Sequence, residues 1–169
     1  VAAGMVGLSS TVAKADRSTP VRIGIIGVRN HGSNLAAAFA KMPDVNVVSL
    51  CDVDASLQSA AMTGVLESQD TAPRWESDFR NVLDDPQVDA VAIATPDHWH
   101  AIMGIMAAKA GKDVYLEKPV SHTIEEGQRL VAAARDHDQV MQTGLQQRSG
   151  SHFQSAVELV QSGKLGQVR

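Results

Sequence analysis

Cysteine is almost missing from this 169-residue sequence. Cys51 stands alone, which excludes an intrachain disulfide and a cysteine-rich zinc site, and its apolar neighbours point to burial. A surplus of basic side chains is missing too. Nineteen acids against fifteen bases give a formal net charge of −4 and a pI near 5.8, with the two signs interspersed. No basic face is gathered for a polyanion, so no nucleic-acid partner is expected. Internal repeats and low-complexity tracts are absent, and the uncharged opening stretch, Val1 to Val12, is too short to span a bilayer. What remains is 44% hydrophobic and 20% charged, sufficient for one well-covered core and hence one domain.

The opening residues differ in kind from the rest. Val1 to Val12 is rich in Ala, Gly, Val and Ser, and Ala13-Lys14-Ala15 then offers small residues at the two positions a signal peptidase inspects. The expectation is a signal-peptide remnant or disordered leader over residues 1–15, with Asp16 starting the mature chain.

From Val21 onward, short apolar runs alternate with amphipathic stretches, the pattern of parallel strands joined by helical crossovers. Strands are predicted over Val21 to Ile26, Val45 to Cys51, Val88 to Ala94, Asp113 to Leu116 and Val140 to Leu145. The third of these, Val-Asp-Ala-Val-Ala-Ile-Ala, is apolar enough to lie mid-sheet, covered on both faces. Helices are predicted over Ser33 to Lys41, Ala55 to Val65, Ser77 to Leu83, His98 to Ala110, Ile124 to His137 and Phe153 to Gln161, with Glu67 to Arg74 as loop. The fold class is therefore α/β, a doubly wound parallel sheet of Rossmann type.

Between the first strand and the first helix stands Gly27-Val28-Arg29-Asn30-His31-Gly32. A glycine turn there aims free backbone N–H groups and the positive end of the helix dipole at a pyrophosphate. The match to G-x-G-x-x-G is incomplete, because Arg29 occupies the position of the middle glycine. Either its side chain swings out and pairs with a phosphate, or the loop is displaced. Asp52 ends the second strand twenty residues after Gly32, where an acid accepts hydrogen bonds from ribose hydroxyls and repels a 2′-phosphate, which favours NAD over NADP. An Asp at a strand end also serves as a plain turn former.

Three more polar clusters follow strands: Thr95-Pro96-Asp97-His98-Trp99-His100, Glu117-Lys118-Pro119 and Gln146-Gln147-Arg148-Ser149. All fall at carboxyl ends, the edge of a doubly wound sheet where ligands bind. Their order and wording resemble the glucose-fructose oxidoreductase and inositol dehydrogenase (Gfo/Idh/MocA) family over Val21 to Arg169. Residues 16–150 then correspond to a dinucleotide-binding domain and 151–169 to a connecting helix leading into a C-terminal domain.

The resemblance implies a division of labour. Gly27, Arg29, Asn30 and Gly32 would hold the pyrophosphate, and Asp52 with Val53 the adenosine ribose. Thr95, Pro96, Asp97 and His100 would line the path beneath the nicotinamide half, family members often carrying Asn in place of Asp97. Glu117 and Lys118 would meet the nicotinamide ribose and the substrate, with Lys118 catalytic and Pro119 often cis. Gln146 and Arg148 would stand near the mouth, Arg148 toward substrate. A lysine suits this chemistry, since hydride leaves a carbinol carbon only as the hydroxyl proton is removed or its oxyanion stabilised.

No metal is expected: His98 and His100 flank Trp99 and would diverge, and His31 supplies no third ligand from the same element. Trp99 is read as packing, His122, His137 and His152 as exposed, and Asp84-Asp85 as a turn. The resemblance also implies an Asp and a His from a C-terminal domain, which would bring the homo-oligomer contact as well, so the 169 residues alone should bind dinucleotide yet turn over little. The leading expectation is an NAD-dependent oxidoreductase acting on a sugar, polyol or related cyclic alcohol, exported to the periplasm by the twin-arginine route with cofactor bound. Two rivals stand beside it, an NAD-dependent glycosidase working by transient oxidation and elimination, and a dinucleotide-sensing module without catalysis; a cytoplasmic location is the alternative to export.

Overall fold

The computed structural model describes residues 19–167. The predicted leader over 1–15 lies outside the described residues, as do the last two residues of the chain. Strands β1 (Val21–Ile26), β2 (Val45–Cys51), β3 (Arg74–Glu76), β4 (Ala90–Ile93), β5 (Asp113–Glu117) and β6 (Met141–Gly144) form one sheet in the order β3-β2-β1-β4-β5-β6, and every pair is parallel. The order reverses between β1 and β4, which opens a crevice above their carboxyl ends. The doubly wound architecture predicted from the alternating pattern is the one observed.

Helices α1 (His31–Ala40) and α2 (Gln58–Leu66) cover one face, while α3 (Phe79–Asp84), α4 (His100–Lys109) and α5 (Ile124–Asp136) cover the other. Period-two alternation feeds both faces at once. Ile23 and Ile25 of β1 join Val47, Leu50, Ala36 and Val65 under α1 and α2. Ile26 points the other way, with Val91 and Ile93 of β4 and Val114 and Leu116 of β5 against Met103, Ala107 and Leu130. Ile25, Leu50, Ile93 and Leu116 are fully buried, each worth about 1.5–3 kcal/mol of apolar transfer. Close approach sets the small residues: a Cβ on Gly24 would lie 2.6 Å from Val82 Cγ1, so α3 can pack directly on the first strand.

Several boundaries differ from the sequence-based expectation. Arg74 does not end a loop; it begins β3, which pairs Ser49 with Arg74 through Cys51 with Glu76. Three residues reading Arg-Trp-Glu carry no usable alternation, so this edge strand exists by pairing with β2 rather than by its own pattern. The helices predicted from Ala55 and His98 each open with a single 3-10 turn, Ala55–Leu57 and Asp97–Trp99. Helix α5 starts where expected because Thr123 and Glu126 form a reciprocal capping box. The last helix, α6 (Ser151–Gln161), begins two residues earlier than predicted and buries none of its side chains.

Candidate functional site

The turn after β1 is built on two close approaches. Gly27 has φ +84°, and a Cβ there would sit 2.8 Å from the Thr95 backbone nitrogen and 2.9 Å from the Ala94 carbonyl oxygen, so the ends of β1 and β4 touch backbone to backbone. A Cβ on Gly32 would fall 1.8 Å from the Gly27 carbonyl oxygen, which no rotamer change relieves. Asn30 takes positive φ (47°) with ψ −100° between them, outside the left-handed helical well. Helix α1 thus starts hard against the turn, and Asn30 makes no side-chain cap on it. Its first turn also holds no acid. Helices α3 and α5 have a first-turn N–H group taken by Asp78 and Thr123, while α2, α4 and α6 share with α1 the lack of a side-chain cap. Uncapped donors and the positive dipole end at α1 fit an anionic group, and the missing Cβ atoms leave backbone to meet it.

The Asp52 carboxylate stands beside this turn. One oxygen accepts from Val28 N at 3.0 Å and the other from Asp54 N at 3.0 Å, which ties the β2 end to the glycine turn while leaving further lone pairs open. Arg29 swings outward and pairs with Asp54, the first of the two arrangements considered for it in direction, with a carboxylate as partner. Gly27, Arg29, Asp52, Val53, Asp54, Thr95 and Pro96 line a cleft of about 700 Å³. Val53 is 90% exposed at its rim.

The remaining wall of the cleft escaped the sequence reading. Ser77 to Arg80 close it from the end of β3, and Trp99 with Met103 form its floor. Trp99 both packs edge-on to Phe79, ring centroids 6.5 Å apart, and faces the cavity. The only signal for this wall would have been β3 itself, which brings Ser77 beside Asp52. Cys51 lies behind the acids; burial, then Asp52, Glu76 and Asp78, push its thiol up to about 12, so it is neutral and unreactive near neutral pH.

A second group of residues gathers where β5 ends, away from that cleft. Glu117 is 5% exposed; its carboxylate lies 2.8 Å from His31 Nε2 and accepts from Lys118 N at 3.2 Å. His31, considered at the sequence level only as a metal ligand, therefore links the start of α1 to the Glu117-Lys118 segment. Nearby, burial first and the Glu117 charge second raise the Tyr115 phenol above its ordinary value. Lys118 is exposed and enters no ion pair among the described residues, and the bond from it to Pro119 is cis. His100 is 2% exposed, with Nδ1 2.6 Å from the Pro119 carbonyl and Nε2 2.8 Å from the Thr95 carbonyl. Both ring nitrogens are thus occupied by backbone, and His100 acts as a strut between two loops rather than as a face of the cleft.

Asp97 turns to His122, 3.0 Å away, and its carboxyl is held below the usual range chiefly by that hydrogen bond. His122 is exposed as expected, yet partnered. Gln146 and Arg148 occupy an exposed turn after β6; Arg148 borders a surface hollow together with Phe153 and Val157 of α6. Among the described residues no cluster of three or more His, Cys, Asp or Glu side chains could hold a metal, and no helix is long and apolar enough to cross a membrane.

Known proteins resemble this chain in sequence and fold. The model of the Gfo/Idh/MocA group, described as an oxidoreductase family with an NAD-binding Rossmann fold, matches residues 21–145. The uncharacterized oxidoreductase YrbE of Bacillus subtilis is 33% identical over 144 residues, 85% of this chain and 40% of that protein. A glycosyl hydrolase family 109 protein of Saccharopolyspora erythraea is 32% identical over 155 residues, 88% of this chain and 33% of that one. The crystal structure of scyllo-inositol dehydrogenase from Lactobacillus casei, with NAD(H) and scyllo-inositol bound, superposes with a TM-score of 0.76 at 25% identity, covering 88% of this chain and 43% of the other. Measured against the first of these relatives, the chain spans 40% of the length.

Proposed function

Because the chain belongs to the Gfo/Idh/MocA oxidoreductase family and carries its NAD-binding Rossmann fold, we propose that it is the cofactor-holding part of an enzyme that moves hydride between NAD and a sugar, polyol or related cyclic alcohol. The observation that carries this reading is the uncapped start of α1, set by Gly27 and Gly32, with the Asp52 carboxylate beside it. Backbone donors at residues 29–31 would take the pyrophosphate, and the spare lone pairs of Asp52 the adenosine ribose hydroxyls. Thr95, Pro96, Trp99 and Met103 would exclude water from the adenosine side of the cleft.

When bound, the nicotinamide ring supplies the hydride acceptor. Lys118 does the work at oxygen: its ammonium stabilises the charge growing on a substrate hydroxyl and relays the departing proton. Glu117, gripped by His31 and by Lys118 N, fixes the main chain from which that side chain springs, and His100 holds the next turn. Gln146 and Arg148 would border the substrate, in concert with residues of a further domain.

Export with cofactor bound and assembly as a homo-oligomer belong to the same proposal, the first supported by the small-residue opening of the sequence. A second reading is favoured by the similarity to the family 109 glycosyl hydrolase protein: a glycosidase that oxidises its sugar transiently. The full-length protein decides between them. Calorimetry should detect NAD binding at micromolar to millimolar ligand, and Lys118→Ala should keep that binding while losing at least a hundredfold in turnover. Sugar release without net NADH marks the glycosidase. Undiminished function in Lys118→Ala marks a sensor instead, and a folded sample that binds neither NAD nor NADP overturns the whole reading.

A further inference from the structure

Three carboxylates and two guanidinium groups crowd the rim of the cleft, and they are paired unevenly. Arg80 Nη2 lies 2.8 Å from Asp78, a pair closed within one turn on the far wall. Arg29 is bonded to Asp54 on the near wall. Asp52 has no cationic partner among the described residues; its oxygens take only the Val28 and Asp54 N–H groups. The near wall therefore carries two negative charges and one positive, and the single positive one is already engaged.

We propose that Asp54 tunes the choice between NAD and NADP by engaging the Arg29 guanidinium, the group that would otherwise be free to meet a 2′-phosphate beside Asp52. This deepens the reading of the cleft as a dinucleotide site and rests on it. Arg29 replaces a glycine that would leave backbone only, so it is the one side chain of the turn able to form a forked contact with a phosphate. Asp54 is well placed to prevent that. Its Oδ1 is anchored by Ser56 N at 3.1 Å and Ser56 Oγ at 2.6 Å, while Oδ2 takes Arg29. The Ser56 hydrogen bonds first, and Arg29 after them, hold its carboxyl below the usual carboxylate range, so it stays charged at neutral pH. The guanidinium is therefore tethered to a carboxylate that is itself fixed to the main chain.

The pair is more than a third exposed, with side chains at 62% and 37%, so its own strength is small and the net charge of the wall decides the outcome. Removing the Asp54 charge leaves Arg29 facing Asp52 alone and makes that wall neutral. Asp54→Asn keeps an oxygen for Ser56 N and so preserves the turn.

The test is calorimetric titration of the full-length protein with NAD and with NADP in low salt. Wild type should bind NAD more tightly. Asp54→Asn should tighten NADP about tenfold, a larger change than it makes in NAD binding, and the gain should shrink as salt is added. It should vanish in the Arg29→Ala/Asp54→Asn double variant. Asp54→Ser, which also retains a capping oxygen, repeats the test if the amide variant does not fold. An NADP affinity unchanged in these variants, with NAD binding intact, overturns the inference while leaving the dinucleotide site standing. So does a gain that survives loss of Arg29, or a wild type that already prefers NADP through Arg29. Absence of both ligands from the wild type removes the parent reading and this one together.

Discussion

At the scale of single residues, the buried histidine is the clearest case of placement outranking type. His100 was expected beneath a cofactor, yet its ring spans from the Thr95 carbonyl to the Pro119 carbonyl, joining the loops after β4 and β5. In any tautomer at least one of those contacts is an N–H···O bond, and truncation leaves two acceptors and a void in their place. His100→Ala should therefore cost about 2–4 kcal/mol, seen as a lower urea midpoint at constant slope. A loss below about 0.5 kcal/mol would mean that the ring is not a strut. The identities at this edge, Asp52, Thr95, Glu117 and Lys118, were all readable from position after a strand. Partners were not: that His31 meets Glu117 across 86 residues depends on α1 being aimed at β5, which no local pattern encodes.

At the scale of elements, one polar clamp between strands lies at the amino-terminal edge of the sheet, away from the cleft. Arg22 of β1 reaches the turn before β4, with Nε to Asp89 Oδ2 at 2.9 Å, Nη2 to Asp89 Oδ1 at 2.6 Å and Nη1 to Gln87 Oε1 at 2.9 Å. The Arg22 hydrogen bond leads in holding the Asp89 carboxyl below its ordinary range. A depressed carboxylate contributes stability above its unfolded value, near 4, and that contribution is lost as pH falls through the lower folded value. Asp89→Asn should thus be less stable at neutral pH by only about 0.5–1 kcal/mol, because the carboxylate is 43% exposed and solvent screens it. The gap between variant and wild type should close below about pH 4 in acid-titrated unfolding curves; a gap that persists there assigns the effect to packing.

For the molecule as a whole, two apolar layers sandwich the central strands, while the last helix stands apart from both. Every residue of β4 from Val91 to Ile93 is buried, whereas α6 exposes Phe153, Val157 and Val160 along one side. Amide exchange on the 169-residue chain should show β4 opening only with global unfolding and α6 exchanging many orders faster; equal protection would place α6 in the core. The alternation of apolar runs with amphipathic stretches was enough to determine a doubly wound parallel sheet, since burying both faces of each strand admits few other arrangements. It also determined that the candidate site residues lie at one edge, because all follow strands that run the same way. Only the tertiary structure decided the strand β3 and the wall at Ser77 to Arg80 that it positions. The same is true of the engagement of Arg29 by Asp54 and the pairing of His31 with Glu117. Each joins segments distant in sequence through a few directional contacts, whose free energy is small beside the hydrophobic pattern and is realised only after the sheet has brought them together.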